Sequence, residues 1–162
     1  MKHLFNLLIV LGGLFLIQGC NTPTKITIPT KITNPSKITF KNTETSGVKS
    51  YTISNMDSKE LSRDDTRQLD AVAKEIKAMG NCQVTVIGHA DNTGTSDVNE
   101  AVSAKRAKLV ADYLKKKGVS NITTSWESYF HPVAGNDTAE GRAKNRRVEI
   151  FISTVGKYNP YK

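Results

Sequence analysis

One short segment of this 162-residue chain places an acidic and a basic side chain where they could hold a charged ligand. The polar loop from Gly88 to Asp97 carries Asp91, and the predicted helix after it carries Arg106, fifteen residues further on. A carboxylate can bind a cation, and a guanidinium can bind a carboxylate through two parallel hydrogen bonds. Taken alone, the pattern favours a turn or capping role for Asp91 and a solvated or ion-paired helix charge for Arg106.

A second polar segment runs from Glu140 to Ile150, with the sequence Glu-Gly-Arg-Ala-Lys-Asn-Arg-Arg-Val-Glu-Ile. Asn145 and Arg146 come directly before the last predicted strand and are candidates to line the same pocket as Asp91. We expect Arg147 to be structural and to pair with a carboxylate.

No assembled catalytic set accompanies these residues. His89 lies two residues before Asp91, and His131 is far along the chain. The sequence contains no nucleophile-elbow glycine pattern, no His-Glu-x-x-His and no cysteines at metal-ligand spacing. We therefore expect no catalytic residue, no metal and no cofactor, with His89 in a structural role and a protein that binds rather than catalyses.

Alternating strand and helix patterns must position these side chains. Strands are predicted at 48–55, 82–87, 122–126 and 148–153, with helices from Ser62 to Gly80 and at 98–117. Ser62 and Asp65 form a capping-box pattern at the first helix. The inner stripes of the two helices are predicted to be Leu69, Val72, Ala73 and Ile76, and then Val102, Leu109, Val110, Tyr113 and Leu114. This order predicts an α/β sandwich in which helices pack on one mixed sheet.

The N-terminus has the form of an export signal. Lys2 precedes a short apolar run, which ends in Leu16-Ile17-Gln18-Gly19-Cys20. This stretch resembles a bacterial lipobox, which implies a signal peptide at 1–19 and acylation of Cys20; the alternative is an ordinary secreted protein or an N-terminal anchor. With Cys20 acylated, Cys82 has no partner, so we expect no disulfide and a small buried thiol.

Residues 20–43 are predicted to form a tether that begins at the lipidated cysteine and leads to a folded domain at 44–155, which is followed by a tail at 156–162. Three imperfect repeats, Thr-Lys-Ile-Thr-Ile-Pro, Thr-Lys-Ile-Thr-Asn-Pro and Ser-Lys-Ile-Thr-Phe-Lys, begin at Thr24, Thr30 and Ser36. Proline at every sixth position disfavours helix and sheet and predicts an extended spacer. Alternatively the repeats add an edge strand to a partner, and the last one belongs to the domain.

Two ordered blocks resemble the OmpA C-terminal-like domain, which is also found in peptidoglycan-associated lipoproteins of the Pal type. They are the segment from Gly88 through Arg106 to Gly118 and the segment from Glu140 to Ile150, and the resemblance covers about residues 48–153. It implies a β-α-β-α-β-β fold and binding to the diaminopimelate-containing peptide stem of peptidoglycan. Asn21 after Cys20 resembles the pattern of enterobacterial lipoproteins, in which a residue other than Asp at this position permits export to the outer membrane. That resemblance implies an outer-membrane lipoprotein whose domain lies in the periplasm.

The resemblance also implies roles for individual residues. Asp91 would take the ammonium of diaminopimelate and Arg106 its carboxylate, because that side chain ends in both charges on one carbon. The other ligand-binding candidates are Asn99, Thr93, Asn145, Arg146 and Asp57. The sequence departs from the family pattern at Ala90, where Thr is frequent, and at Met56, where an aromatic residue is usual.

Three further points bear on partners. The formal net charge of +8 suits an anionic partner, but export disfavours nucleic acid. The aromatic segment from Trp126 to Pro132 either covers the end of the sheet or packs on sugar rings. The alternative function is that of a structural or protein-docking subunit in an envelope-spanning machine, such as a secretion system or a motor, in which the same fold meets an envelope protein complex.

Overall fold

The structure is a computed structural model of the chain and describes residues 38–43 and 47–162. The predicted signal peptide (1–19), the predicted lipidation site Cys20 and the predicted tether up to residue 37 lie outside the described residues.

The described residues form one mixed sheet, in which five strands lie in the order β1-β2-β5-β3-β4. The strands are β1 Ile38–Thr43, β2 Val48–Ser54, β3 Gln83–Gly88, β4 Ile122–Trp126 and β5 Arg147–Ser153. β4 runs parallel to β3, and the other neighbours are antiparallel. The ends of β2, β3 and β4 and the start of β5 therefore meet at the same end of the sheet.

Three helices complete the described fold: α1 Arg63–Met79, α2 Ser96–Lys116 and α3 Ala139–Asn145. The capping box at α1 is confirmed, because Ser62 Oγ accepts from Asp65 N at 3.1 Å while Asp65 Oδ2 accepts from Ser62 N at 2.9 Å. α2 begins two residues before its predicted start, because the side chain of Thr95 caps it. Within the described ranges no helix combines the length and apolar character needed to cross a membrane.

The core lies between α1, α2 and one face of the sheet. The predicted stripe of α1 is confirmed, since Leu69, Val72, Ala73 and Ile76 are all buried. The predicted stripe of α2 is confirmed for Val110 and Leu114, which are buried, and for Tyr113, which is half-buried and packs against the core. It is wrong for Val102 and Leu109, which are half-buried and lie outside the core cluster. The small side chains Ser103, Ala107 and Ala111 take the buried face instead and let the helix approach the sheet closely. Cys82 is buried in the same core, and burial raises the pKa of its thiol.

The predicted fold class, helices on one mixed sheet, is confirmed, with two corrections. The seven-residue helix α3 lies between β4 and β5, where the resemblance implied consecutive strands; Thr138 caps it by accepting from Gly141 N at 3.0 Å. Strand β1 pairs antiparallel with β2, with Ile38 opposite Ile53. The sheet therefore begins inside the range that we predict as tether (20–43), because the last repeat has no proline to interrupt its pairing.

The C-terminal segment folds back onto the face of β5 that points away from the helices. Tyr161 Oη donates to Glu149 Oε2 at 2.8 Å, and its ring stacks on His131 with centroids 4.3 Å apart. Tyr158 lies against Phe151, with ring centroids 5.5 Å apart. Part of the segment predicted as a tail (156–162) thus packs on the domain.

Candidate functional site

The loop that carries Asp91 is held by a very close approach of α2 to the end of β3. A Cβ at Gly88 would lie 1.9 Å from the backbone oxygen of Ser103, so only glycine allows this packing. The contact brings the first half of α2 against the residues that follow β3, and Arg106 lies three residues beyond Ser103 on the same helix.

Asp91 is buried, and both oxygens of its carboxylate accept hydrogen bonds. Its Oδ1 accepts from Thr93 N at 3.0 Å and also from Thr93 Oγ1, while its Oδ2 accepts from Arg146 Nη1 at 2.9 Å. Burial raises the pKa of Asp91, but the hydrogen bonds from Thr93 and Arg146 outweigh burial, and the pKa lies below its ordinary value. Asp91 is therefore an anion held in a fixed orientation.

Arg106 is 4% exposed and reaches from α2 to two backbone carbonyls. Its Nε donates to Met56 O at 3.0 Å and its Nη1 donates to His89 O at 3.0 Å. Among the described residues, Nη2 has no hydrogen-bond partner. Burial and repulsion from Arg146 lower the pKa of Arg106 to about 10, so it remains a cation at neutral pH. A rigid guanidinium with one free edge is well suited to accept an anion.

Arg146, which the sequence predicted as one of the residues lining the pocket, makes the ion pair with Asp91. It follows α3, and besides Asp91 its guanidinium contacts Asn55, with Nη2 donating to Asn55 Oδ1 at 3.1 Å. Its backbone oxygen accepts from Met56 N at 3.0 Å. The start of β5 is thereby joined to the segment after β2 through both backbone and side chain.

Asn55 is a site residue that sequence reasoning missed. It has a φ of +54°, a left-handed conformation that Asn tolerates better than most residues. The available signal was an Asn directly after a predicted strand and two residues before Asp57.

Asp57 lies at the open side of the site. It is exposed, and its Oδ1 accepts from Lys59 N at 2.9 Å. Hydrogen bonds from the backbone of Lys59 and Ser58 hold the pKa of Asp57 below its ordinary value, and Arg106 adds to this by charge attraction. Asp57 is thus a second anion close enough to act on Arg106.

Asn99 and Thr93 differ in whether their side-chain hydrogen-bond donors are already engaged. Thr93 is exposed and donates to Asp91 through both its amide and its hydroxyl. Asn99 is 3% exposed, lies beneath the loop near Gly94, and its Nδ2 has no partner in the part of the chain that the structure describes. A buried amide donor without a protein partner is uncommon, and this one is able to donate to a ligand or to a water molecule.

Asn145 has its whole amide engaged away from Asp91. Its Oδ1 accepts from Val133 N and Ala134 N, and its Nδ2 donates to Ala134 O and to Asn136 Oδ1, all at 2.8–3.1 Å. It is fully buried. The structure thus places Asn145 next to Arg146 in sequence but directs its side chain into the loop at 133–136.

A buried charged cluster lies behind the site. Arg147, as expected, pairs with a carboxylate, its Nε donating to Glu149 Oε1 at 2.8 Å. Tyr161 donates to the other oxygen of Glu149, and His89 Nε2 lies 3.5 Å from it. Burial raises the pKa of Glu149, but His89 and Arg147 outweigh burial and lower it to about 2; burial lowers the pKa of His89.

Asp91, Arg146, Arg106 and Asp57 together form two anions and two cations around the end of β3. Asp91 and Arg106 do not pair with each other, so each keeps capacity for a ligand. Within residues 38–43 and 47–162, no three His, Cys, Asp or Glu side chains are arranged to hold a metal ion. The chemistry that fits the site is recognition of a small group that carries both charges.

Residues 55–146 match the model of the OmpA family, and the chain belongs to that family. The peptidoglycan-binding protein ArfA of Mycobacterium tuberculosis is 48% identical over 87 residues, which cover 52% of this chain and 27% of ArfA. The putative lipoprotein YfiB of Escherichia coli is 40% identical over 91 residues, 54% of this chain and 57% of YfiB. The peptidoglycan-associated lipoprotein of Pseudomonas aeruginosa is 40% identical over 96 residues, covering 58% and 56%. These matches span about a quarter to somewhat over half of the relatives' lengths.

Solved structures with the same fold include a cell wall anchor, a domain of MotB and a peptidoglycan-associated lipoprotein. The cell wall anchor of the type VI secretion system from Pseudomonas aeruginosa has a TM-score of 0.62 and 29% identity, covering 72% of this chain and 87% of the anchor chain. The C-terminal domain of MotB from Helicobacter pylori has a TM-score of 0.55 and 32% identity, covering 58% and 75%. The peptidoglycan-associated lipoprotein from Burkholderia pseudomallei has a TM-score of 0.55 and 25% identity, covering 58% and 81%.

Proposed function

We propose that the domain binds the diaminopimelate-containing peptide stem of peptidoglycan without covalent chemistry. The observation that carries the proposal is a fixed carboxylate at Asp91 beside a buried guanidinium edge at Arg106. The side chain of diaminopimelate ends in an ammonium and a carboxylate on one carbon. Recognition of this side chain needs an anion and a cation on the protein at a fixed separation. Surface charges on flexible side chains would not hold such a separation.

Each end of the ligand has a matching group in this arrangement. The ammonium is received by Asp91, with Asp57 as a second anion at the open side. The carboxylate is received by Nη2 of Arg106 and by the free amide donor of Asn99. Arg146 holds Asp91 in place, Thr93 orients it, and Asn145 positions the loop beside the site, so these three act through Asp91 or the loop.

The relatives support the same class of ligand. ArfA is named as a peptidoglycan-binding protein, and the Pseudomonas aeruginosa relative as a peptidoglycan-associated lipoprotein. We extend the proposal to the whole chain. Lipid on Cys20 anchors the chain in the outer membrane, and residues 20–37 span the distance from the membrane to the domain. The periplasmic domain then ties the membrane to the cell wall. The lipobox-like sequence and the relatives that are named as lipoproteins support this extension.

The second candidate is a subunit of an envelope-spanning machine. It is favoured by the fold shared with MotB and with a cell wall anchor of a secretion system. In such a machine the domain would either attach to the wall through the same pocket or serve as a protein-docking module that does not bind the wall.

Co-sedimentation with purified sacculi tests the proposal. Residues 21–162, without Cys20, are compared with Asp91→Asn and with Arg106→Ala at low and high salt. Asp137→Asn and Lys105→Ala, both exposed, are the matched controls, and circular dichroism checks that each variant is folded. We expect binding that persists in high salt and is lost only in the two site variants. Binding that ignores the substitutions and disappears in salt would reduce the interaction to adhesion of a basic surface, and no binding would leave the machine-subunit candidate.

A further inference from the structure

A second concave surface lies beside the Asp91 site at the same end of the sheet. The rim pocket, of about 180 Å³, is lined by Glu100, Trp126, Glu127, Ser128 and Phe130. Trp126 is 45% exposed and Phe130 is 63% exposed, which is unusual for such large apolar side chains.

The rim pocket is continuous with the Asp91 site through the backbone. Trp126 on β4 lies opposite Gly88 on β3, Glu127 N donates to Gly88 O at 3.0 Å, and Ala90 N donates to Ser128 O at 2.7 Å. Neighbouring strands are ~4.8 Å apart, and three residues span at most ~10 Å, so the backbones of Trp126 and Asp91 are within roughly 15 Å of each other.

The polar groups of the rim pocket are held in place and keep part of their hydrogen-bonding capacity. Trp126 Nε1 donates to Glu100 Oε1 at 3.1 Å, which sets the plane of the indole. The second oxygen of Glu100 receives no hydrogen bond from the described residues. Ser128 is 3% exposed, and its Oγ has no hydrogen-bond partner among the described residues. Ser128 also has a φ of +49°, a strained conformation for a residue other than glycine. Strain and an unpaired buried hydroxyl together are typical of a binding surface.

We propose that the rim pocket binds a sugar ring of the glycan strand from which the peptide stem extends. A sugar has an apolar face that packs on aromatic rings and hydroxyl groups that donate to carboxylates, which are the two kinds of group present here. The pocket carries acidic side chains and no basic one, so it suits neutral hydroxyl donors better than the anionic parts of the wall.

The spacing agrees with the covalent structure of peptidoglycan. Diaminopimelate is the third residue of the stem, so two residues and a lactyl link separate it from the muramyl sugar. Three units span roughly 10 Å, which lies within the upper limit of about 15 Å on the backbone separation of Trp126 and Asp91. This inference rests on the proposed function, because it needs the stem in the Asp91 site.

Trp126 is the one tryptophan in the sequence, so its fluorescence reports directly on the rim pocket. The full-length chain, purified in mild detergent, is titrated with a disaccharide-tripeptide of peptidoglycan and with the same tripeptide without sugar, while calorimetry gives both affinities. We expect the disaccharide form to bind about fivefold to tenfold more tightly and to shift the Trp126 emission. The sugar-free tripeptide should bind without that shift.

Two exposed variants separate the possible outcomes. Phe130→Ala should remove the advantage of the disaccharide and leave the tripeptide affinity unchanged, while Tyr158→Ala, an exposed aromatic control elsewhere, should change neither. Equal affinities with unchanged Trp126 emission would overturn the sugar pocket and leave the proposed function standing. If neither ligand binds, the proposed function fails, and the sugar pocket fails with it.

Discussion

The carboxylate of Asp91 is bound by Arg146, 55 residues further along the chain, and not by Arg106 on the adjacent helix. This ion pair connects the loop after β3 to the start of β5, and one edge of the Arg106 guanidinium has no partner within residues 38–43 and 47–162. Two cations therefore have different roles, since Arg146 fixes the anion and Arg106 is held open beside it.

Replacing Arg146 by alanine tests this division of roles. Asp91 would keep its hydrogen bonds from Thr93 but lose the one from Arg146, so its pKa should rise. The affinity for a diaminopimelate tripeptide should fall about tenfold, because the carboxylate is held less firmly. Titration of the Asp91 carboxyl by NMR measures the first effect and calorimetry the second. An unchanged pKa of Asp91 would mean that the pair with Arg146 does not form in solution.

Arg106→Lys should destabilise the domain although it keeps the charge. A lysine ammonium cannot reproduce the planar fork that reaches the carbonyls of Met56 and His89. We expect a loss of about 2–3 kcal/mol in the free energy of unfolding, measured in urea. Lys105→Arg, at the exposed neighbouring position, should change it by less than about 0.5 kcal/mol. Equal stability of the two variants would contradict a structural role for the fork.

Gly88→Ala should be far more damaging than alanine at another glycine. Its Cβ would overlap the backbone of Ser103 and separate α2 from β3, at a cost of about 3 kcal/mol or more. Gly118 has a positive φ of +85° but open space around it, so Gly118→Ala should cost about 1 kcal/mol. Thermal unfolding of both variants gives the comparison, and similar losses would show that the helix can move away from the strand at little cost.

Stability should fall as the pH drops below about 6.5. Burial lowers the pKa of His89 in the folded state. As the pH falls, the unfolded chain therefore binds a proton at His89 before the folded chain does, which favours unfolding at pH values below the unfolded pKa of His89. Glu149, whose pKa lies at about 2 beside Arg147, adds a further loss as the pH falls below about 4.5. Urea unfolding of wild type and His89→Leu across this range is the measurement. The variant should lose less stability between pH 6.5 and 4.5, and equally steep curves would exclude His89 as the cause.

Local patterns in the sequence predicted most of the fold. The capping box at Ser62 and the helical spacing from Leu69 to Ile76 involve residues a few positions apart, and their neighbours alone determine them. Helix α2 was less predictable, because its buried face is made of small and polar side chains that depend on the close approach at Gly88. Helix α3 is only seven residues long and carries no apolar stripe that could have revealed it.

The candidate site was predictable in its residue types but not in its pairing. The sequence indicated Asp91, Arg106 and Arg146, but which cation binds the carboxylate depends on contacts across 55 residues. Asn145 illustrates the same limit, since its position beside Arg146 suggested the pocket while its amide is used by the loop at 133–136. The contribution of Asn55 depends on a backbone conformation that the sequence does not specify.

Calorimetry with two matched tripeptides tests the central claim, that the site recognises an ammonium and a carboxylate together. One tripeptide ends in diaminopimelate, and the other ends in lysine, which keeps the ammonium and lacks the carboxylate. We predict that wild type binds the diaminopimelate form about tenfold to a hundredfold more tightly, and that Asp91→Asn weakens the binding of both. Equal affinity of wild type for the two tripeptides would contradict the account, because the free edge of Arg106 would then contribute nothing to recognition.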